Sequence, residues 1–287
     1  MTKQQFWDRL RQKPLILDGA TGSNLMKAGL PRGVCTEQWL LEHPQVIVDL
    51  QRRYAESGSE VVYAPTFTAN RFYLAQHGLG EQVKQINQSL VALSRQAAPH
   101  VLVAGDMTTL GRADFSYEML LDVYTEQAQA LAEAGVDLFI IETMMGLEET
   151  MAALEACSMV SDLPVMCSFS VMGDGMLYYG GTVYEAAQQL EGFGAAAVGI
   201  NCSAGPLQME NIVRQLAQML QIPVIAKPNA GMPEIDETGE AHYDLPAESF
   251  GRQMMALRRV GASVLGGCCG TDPDYIRMLC EELKKAE

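Results

Sequence analysis

The sequence predicts a single α/β domain over residues 1–287, built as a (β/α)8 barrel, and three observations predict it. Short apolar runs rich in Val and Ile recur about eight times, and a segment of helical periodicity lies between most of them. The runs are also apolar almost throughout, as strands of a parallel sheet covered on both faces must be. An open doubly wound sheet would share this alternation, but no G-x-G-x-x-G follows the first run.

The predicted strands are residues 15–17, 60–64, 101–104, 137–141, 164–169, 195–200, 222–226 and 263–265, chosen on length, Val/Ile content and bounding Gly or Pro. Residues 46–57 follow His43-Pro44 and place Val46, Ile47, Leu50 and Tyr54 on one side, which predicts a helix. Residues 82–97, 117–134 and 207–220 repeat that pattern. The longest polar stretch, residues 229–245, follows the seventh strand and is expected to be an active-site loop.

Composition narrows the function. Hydrophobic residues make up 48% and charged residues 19%, enough for a large core and unlike a disordered chain. A formal net charge of −15 with no run of Lys and Arg excludes a nucleic-acid binder. No apolar stretch approaches the roughly 20 residues of a membrane helix, and residues 1–13 are polar with both charges, unlike a signal peptide. A cytoplasmic protein with no membrane partner is expected. Seven cysteines, odd in number and unevenly spaced, do not form a secreted disulfide framework; reduced thiols, some bound to metal, fit better.

Barrel enzymes carry their reacting groups at the C-terminal ends of the strands, where the βα loops converge. The predicted strands lead in turn to Asp18-Gly19, Thr66, Asp106, Glu142-Thr143, Asn201-Cys202-Ser203, Asn229 and Gly266-Gly267-Cys268-Cys269-Gly270. Cys202 is far from the vicinal pair in sequence, yet a barrel brings the ends of its sixth and eighth strands to one rim. Three thiolates can then meet one zinc ion and leave its fourth position open. The flanking glycines would allow the turn that aims adjacent sulfurs at one point. Spacing alone leaves a buried turn or a vicinal disulfide open for Cys268-Cys269, since structural zinc sites commonly use C-x2-C. Asp18 can equally cap a helix, Glu142 can be a rim charge, and Asn201 and Asn229 can be turn residues. Cys157, Cys167 and Cys280 read as packing residues, and His43, His77, His100 and His242 as solvated. No Ser-His-Asp arrangement, P-loop or H-E-x-x-H is present.

At these positions the chain resembles a known family. Asp18-Gly19-Ala20-Thr21-Gly22-Ser23 is similar to the D-G-A-x-G-T opening of the homocysteine S-methyltransferases. Gly199-Ile200-Asn201-Cys202-Ser203 and Gly266-Gly267-Cys268-Cys269-Gly270-Thr271 resemble that family's two zinc signatures. Thr66-Phe67-Thr68-Ala69-Asn70, Ile141-Glu142-Thr143 and Pro228-Asn229-Ala230-Gly231 resemble further segments in the expected order. Two departures stand out: Gly105-Asp106-Met107-Thr108-Thr109-Leu110-Gly111 replaces a G-x-x-G-P pattern, and Thr68 stands where glycine is frequent.

The resemblance implies a TIM barrel with Zn(2+) on Cys202, Cys268 and Cys269. It implies that Asp18 and Glu142 receive the homocysteine ammonium, that backbone amides around Gly19 and Thr66 receive its carboxylate, and that Asn229 lies beside the metal. The implied reaction is methyl transfer to homocysteine, giving methionine. No D-x-H-x-x-G cobalamin-ligating segment is present, so the expected donor is a methylated corrinoid (cobalamin) on a separate protein. A small onium donor such as S-methylmethionine or betaine is the alternative. From another class, a non-catalytic zinc-thiolate scaffold subunit would share the cysteines but has no use for both carboxylates.

Overall fold

The computed structural model describes residues 1–112, 114–237 and 241–286. Along them run β1 (Leu15–Ile16), β2 (Val61–Tyr63), β3 (Leu102–Thr108), β4 (Leu138–Met144), β5 (Val165–Phe169), β6 (Ala197–Asn201), β7 (Val224–Lys227), β8 (Glu234–Ile235), β9 (Ala241–His242) and β10 (Ala262–Leu265). The helices are α1 (Lys3–Gln12), α2 (Gly22–Lys27), α3 (Thr36–Glu42), α4 (Pro44–Glu56), α5 (Arg71–Ala75) and α6 (Val83–Ala97), then α7 (Tyr117–Glu133), α8 (Leu147–Val160), α9 (Val183–Gly192), α10 (Pro206–Met219), α11 (Ala247–Arg259) and α12 (Pro273–Ala286). All eight predicted runs are strands, and they form one parallel sheet in the order β1-β10-β7-β6-β5-β4-β3-β2. The β1/β2 seam is joined by the Glu60 amide donating to the Ile16 carbonyl at 2.7 Å and by Ser59 Oγ donating to the Leu17 carbonyl. Together these close the (β/α)8 barrel.

Strand alternation sorts the side chains into two cores. Leu15 and Leu17 point inward with Leu138, Ile140, Met166 and Ile225, whereas Ile16, Val62, Phe139 and Ile141 point outward against the helices. The inner core needs a floor, and α1 provides it. A capping box between Thr2 and Gln5 starts the helix. Phe6, fully buried, then enters the inner core, and Trp7 Nε1 donates to the Ala196 carbonyl at 2.8 Å. Between β6 and β7 the backbones approach so closely that a Cβ on Gly199 would lie 2.0 Å from the Ile225 carbonyl oxygen. Only glycine fits there.

The structure extends four strands beyond the predicted ends. β3 reaches Thr108, β4 reaches Met144, β6 reaches Asn201 and β7 reaches Lys227, and the ladders continue as Asp106↔Ile140, Thr108↔Glu142 and Asn201↔Lys227. Apolar patterning stops where the strands enter the mouth, because there the inward residues face a polar cavity instead of the core. The polar stretch after the seventh strand contains the antiparallel pair β8/β9, which its lack of alternation did not announce; its residues 238–240 lie outside the described residues. No described helix is long and apolar enough to cross a membrane.

Candidate metal and substrate site

Two loops deliver three sulfurs. After β6 the chain turns at Cys202 through left-handed backbone, φ 51°, an arrangement that costs a non-glycine residue about 1–2 kcal/mol. The Cys202 amide donates to the Lys227 carbonyl at 3.3 Å, tying this turn to β7. After β10 the Cys268 amide donates to the Pro228 carbonyl at 2.7 Å, while Thr271 Oγ1 and its amide both donate to the Cys268 carbonyl. Gly270 completes the turn with φ 81°; at Gly267 the demand is space, since a Cβ would stand 2.5 Å from Thr271 Oγ1. The three Sγ atoms lie within 4.8 Å of one another, and Cys202 Sγ is 3.4 Å from Cys269 Sγ.

All seven cysteines are free, so Cys268-Cys269 is no vicinal disulfide. Thiolates about 2.3 Å from a tetrahedral zinc are roughly 3.8 Å apart, which falls between the 3.4 Å from Cys202 to Cys269 and the 4.8 Å bound here. The donor set fits zinc. Among the described residues no His, Asp or Glu joins the group. Asn229 is 2% exposed; its amide donates to the Ala204 carbonyl, the next residue's amide donates to the Cys269 carbonyl, and its Oδ1 has no hydrogen-bond partner. Sharing hydrogen bonds, the sulfurs polarise one another. Hydrogen bonding with Cys202 and then Cys268 holds Cys269 well below the ordinary thiol value, whereas hydrogen bonding with Cys268 and then Cys269 pushes Cys202 well above it.

Beside the sulfurs lies a cavity of about 260 Å³, walled in part by Gly19, Ala20, Glu37, Tyr63, Thr68, Asp106, Glu142, Lys227 and the three cysteines. Its floor is charged. Lys227, 3% exposed at the end of β7, places Nζ 3.5 Å from Asp18 Oδ1, 3.9 Å from Glu142 Oε2 and 4.3 Å from the Tyr63 ring centroid. Burial alone would lower the Lys227 pKa, but Glu142 and then Asp18 hold it well above the usual lysine range. Burial raises Asp18 to about 6, against the opposing pull of Lys227 and the Tyr63 amide that donates to Asp18 Oδ2 at 2.8 Å. Burial raises Glu142 to about 7, again opposed by Lys227. Asp106 is pushed up strongly by burial and then by Glu142.

Asn201 braces this wall, although sequence alone left it as a possible turn residue. Its Oδ1 accepts from the Thr143 amide at 3.0 Å and from Ser168 Oγ at 2.9 Å; its Nδ2 donates to Thr143 Oγ1 and, at 3.4 Å, to Glu142 Oε2. Thr143 itself has φ 60°. Of the residues singled out from sequence, Cys202, Cys268, Cys269, Glu142 and Gly19 lie on the cavity wall. Asp18, 1% exposed, does not. Thr66 is fully buried off the wall, and its amide already donates to the Ala64 carbonyl at 2.7 Å while its Oγ1 bonds the Asp106 backbone. The wall there is Pro65, Phe67 and Thr68.

Sequence reasoning missed Lys227, Tyr63 and Glu37 as site residues. Lys227 sat one residue past a predicted strand end, and Glu37 on an unassigned segment. Glu37 Oε1 accepts from both the amide and the hydroxyl of Thr68, so the departure at Thr68 has a partner across the cavity. Cys35, which carried no clear sequence signal, donates to Glu37 Oε2 at 3.4 Å. Cys157 and Cys167 are fully buried packing residues.

Fold and site define an α/β barrel whose C-terminal mouth holds a three-cysteine centre beside a charged cavity. The chain belongs to the homocysteine S-methyltransferase family, whose sequence profile it matches over residues 15–283. It is 30% identical to the methionine synthases of Mycobacterium leprae (strain TN), over 295 residues, and Mycobacterium tuberculosis (strain ATCC 25618 / H37Rv), over 294. Each alignment covers 94% of this chain and 24% of the relative, so the chain spans about a quarter of their length. Its fold is similar to that of the metallated homocysteine methyltransferase MmuM from Escherichia coli: TM-score 0.80, 24% identity, 94% of this chain and 96% of that one.

Proposed function

We propose that this chain methylates the sulfur of homocysteine to give methionine. The observation that carries the reading is the convergence of three cysteine sulfurs, within 4.8 Å, at the edge of a cavity whose floor holds buried carboxylates. Cys202, Cys268 and Cys269 would hold Zn(2+), with Asn229 Oδ1 the nearby oxygen donor for the resting centre. When bound, the ion supplies Lewis acidity that lets a thiol of ordinary pKa about 8.5 react as thiolate at neutral pH.

The chain's own residues do the rest. Asp18 and Glu142 give the floor the negative charge that a substrate ammonium seeks, and the Gly19 loop lines the same cavity, where its amides would receive the substrate carboxylate. Thr66 contributes by stapling the end of β2 to β3, since its own amide is taken. Fixing the amino-acid end aims the sulfur at the mouth, so that binding supplies orientation. No general base is required of the protein.

For the methyl donor, a corrinoid carried by a separate protein has a supporting observation. Met172, Tyr178, Tyr179, Met232 and Ile235 are exposed on the segments after β5 and β7, and exposed apolar side chains on the βα-loop side of a barrel suit a macromolecular partner.

Metal analysis and donor assays test the reading. Purified chain should carry one zinc, and Cys202→Ala, Cys268→Ala or Cys269→Ala should lose both the metal and homocysteine methylation. A variant lacking one of these sulfurs that retained stoichiometric zinc and full rate would refute the site. Methylated corrinoid protein should serve as donor and S-methylmethionine or betaine should not; the reverse result would reassign the donor.

A further inference from the structure

The polar loop of residues 229–245 leaves the three-sulfur centre and returns to it. At its start the Ala230 amide donates to the Cys269 carbonyl at 2.9 Å, and at its end the Leu245 amide donates to the Ala230 carbonyl at 3.1 Å. Tyr275 on α12 holds the same neck, its hydroxyl donating to the Leu245 carbonyl at 2.7 Å. Two residues before Leu245 stands Tyr243, half-buried, with its ring against the turn that carries the vicinal cysteines. A Cβ on Gly270 would come within 2.5 Å of Tyr243 Cγ and 2.6 Å of its Cδ2. From that position the hydroxyl is in hydrogen-bonding reach of the Cys269 sulfur. Tyr243 does not wall the cavity, so it approaches Cys269 from outside the space a substrate would fill.

Resting on the zinc reading above, we propose that the Tyr243 hydroxyl donates to the Cys269 thiolate of the loaded centre and thereby steers methylation to the substrate sulfur and away from Cys269. Three ligand thiolates and the substrate thiolate meet there, so one electrophile must discriminate among four sulfurs. A hydrogen bond to a thiolate stabilises its charge and weakens it as a nucleophile, while the proton stays on the tyrosine. Methyl transfer to Cys269 would form an S–C bond on a ligand and break the methyl–donor bond, whose electron pair leaves with the donor. An anionic thiolate would become a neutral thioether, a poor ligand for zinc. Tyr243 is therefore a positioning residue: it touches neither substrate nor donor and acts through Cys269.

The test treats the zinc-loaded protein with methyl iodide, without homocysteine, and follows methylation of each cysteine by peptide mass mapping. Tyr243→Phe keeps the ring on Gly270 and removes the hydroxyl. It should retain one zinc and speed methylation of Cys269 at least fivefold, with Cys202 and Cys268 changed less than twofold. An unchanged Cys269 rate overturns the assignment while the zinc centre stands. A parallel rise at all three cysteines, accompanied by metal loss, overturns it as well, because it reports a loosened neck and not a lost hydrogen bond. Wild-type chain that takes up no zinc overturns the zinc reading and this assignment together.

Discussion

Lys227 concentrates the electrostatics of the site in one side chain. It is a cation with almost no exposure, 3.5 and 3.9 Å from two acids, and its removal leaves them without a buried counter-charge. Lys227→Met alone should destabilise the chain by about 3–5 kcal/mol in denaturant unfolding, and adding Asp18→Asn should recover part of that loss. Glu142→Ala should raise the dissociation constant for homocysteine with little change in zinc content; an unchanged constant rejects its role as ammonium ligand. The raised pKa values fix a sign for pH. Asp18, at about 6, and Glu142, at about 7, hold protons in the folded chain that the unfolded chain releases at ordinary carboxylate values. Stability from this source is therefore greatest at low pH and is lost as pH rises through that window up to about 7. Ligand binding runs the other way, because an ammonium needs ionised acids. The ratio of the affinities for homocysteine and for 4-mercaptobutyrate, which keeps thiol and carboxylate but lacks the amine, should fall as pH drops below about 7, and a ratio flat between pH 5.5 and 8 would contradict it.

Strands and loops decide whether those side chains meet. β6 carries Asn201 and Cys202 at its end, and its approach to β7 depends on Gly199, whose added Cβ would strike backbone. Gly199→Ala should cost about 1–3 kcal/mol or more, and in the folded fraction it should loosen zinc, because Cys202 is tied to the Lys227 carbonyl across the same pair of strands. At the other end, α1 closes the inner core without touching the cavity. Phe6→Ala should lower stability by about 3–5 kcal/mol and leave metal and thiol affinity of the folded protein unchanged. Apolar runs made every barrel strand legible, yet they stop short at β3, β4, β6 and β7. There the inward positions become Asp106, Glu142, Asn201 and Lys227, so the pattern that reveals a strand fades where the strand becomes functional.

Across the whole molecule, residues distant in the chain act as one centre only because a closed parallel sheet carries the ends of β6, β7 and β10 to a single rim. The barrel has its own inner and outer cores, so stripping zinc with a chelator should lower the unfolding midpoint by linkage while the far-ultraviolet spectrum keeps its helical shape. Loss of helix on chelation would show that the metal holds the fold. By itself the sequence determined the eight strands, four of the helices between them, the three cysteines that converge and the family, since each rests on local periodicity or on a short contiguous motif. Only the tertiary structure decided that Asp18 pairs with Lys227, that the Thr66 amide is already taken, that Asn201 braces the wall, and that Lys227 and Asp106 line the cavity with Glu142. Those facts depend on which side chains from different strands face each other across the mouth. Neighbours of that kind, separated by tens or hundreds of residues, leave no periodic trace in the chain.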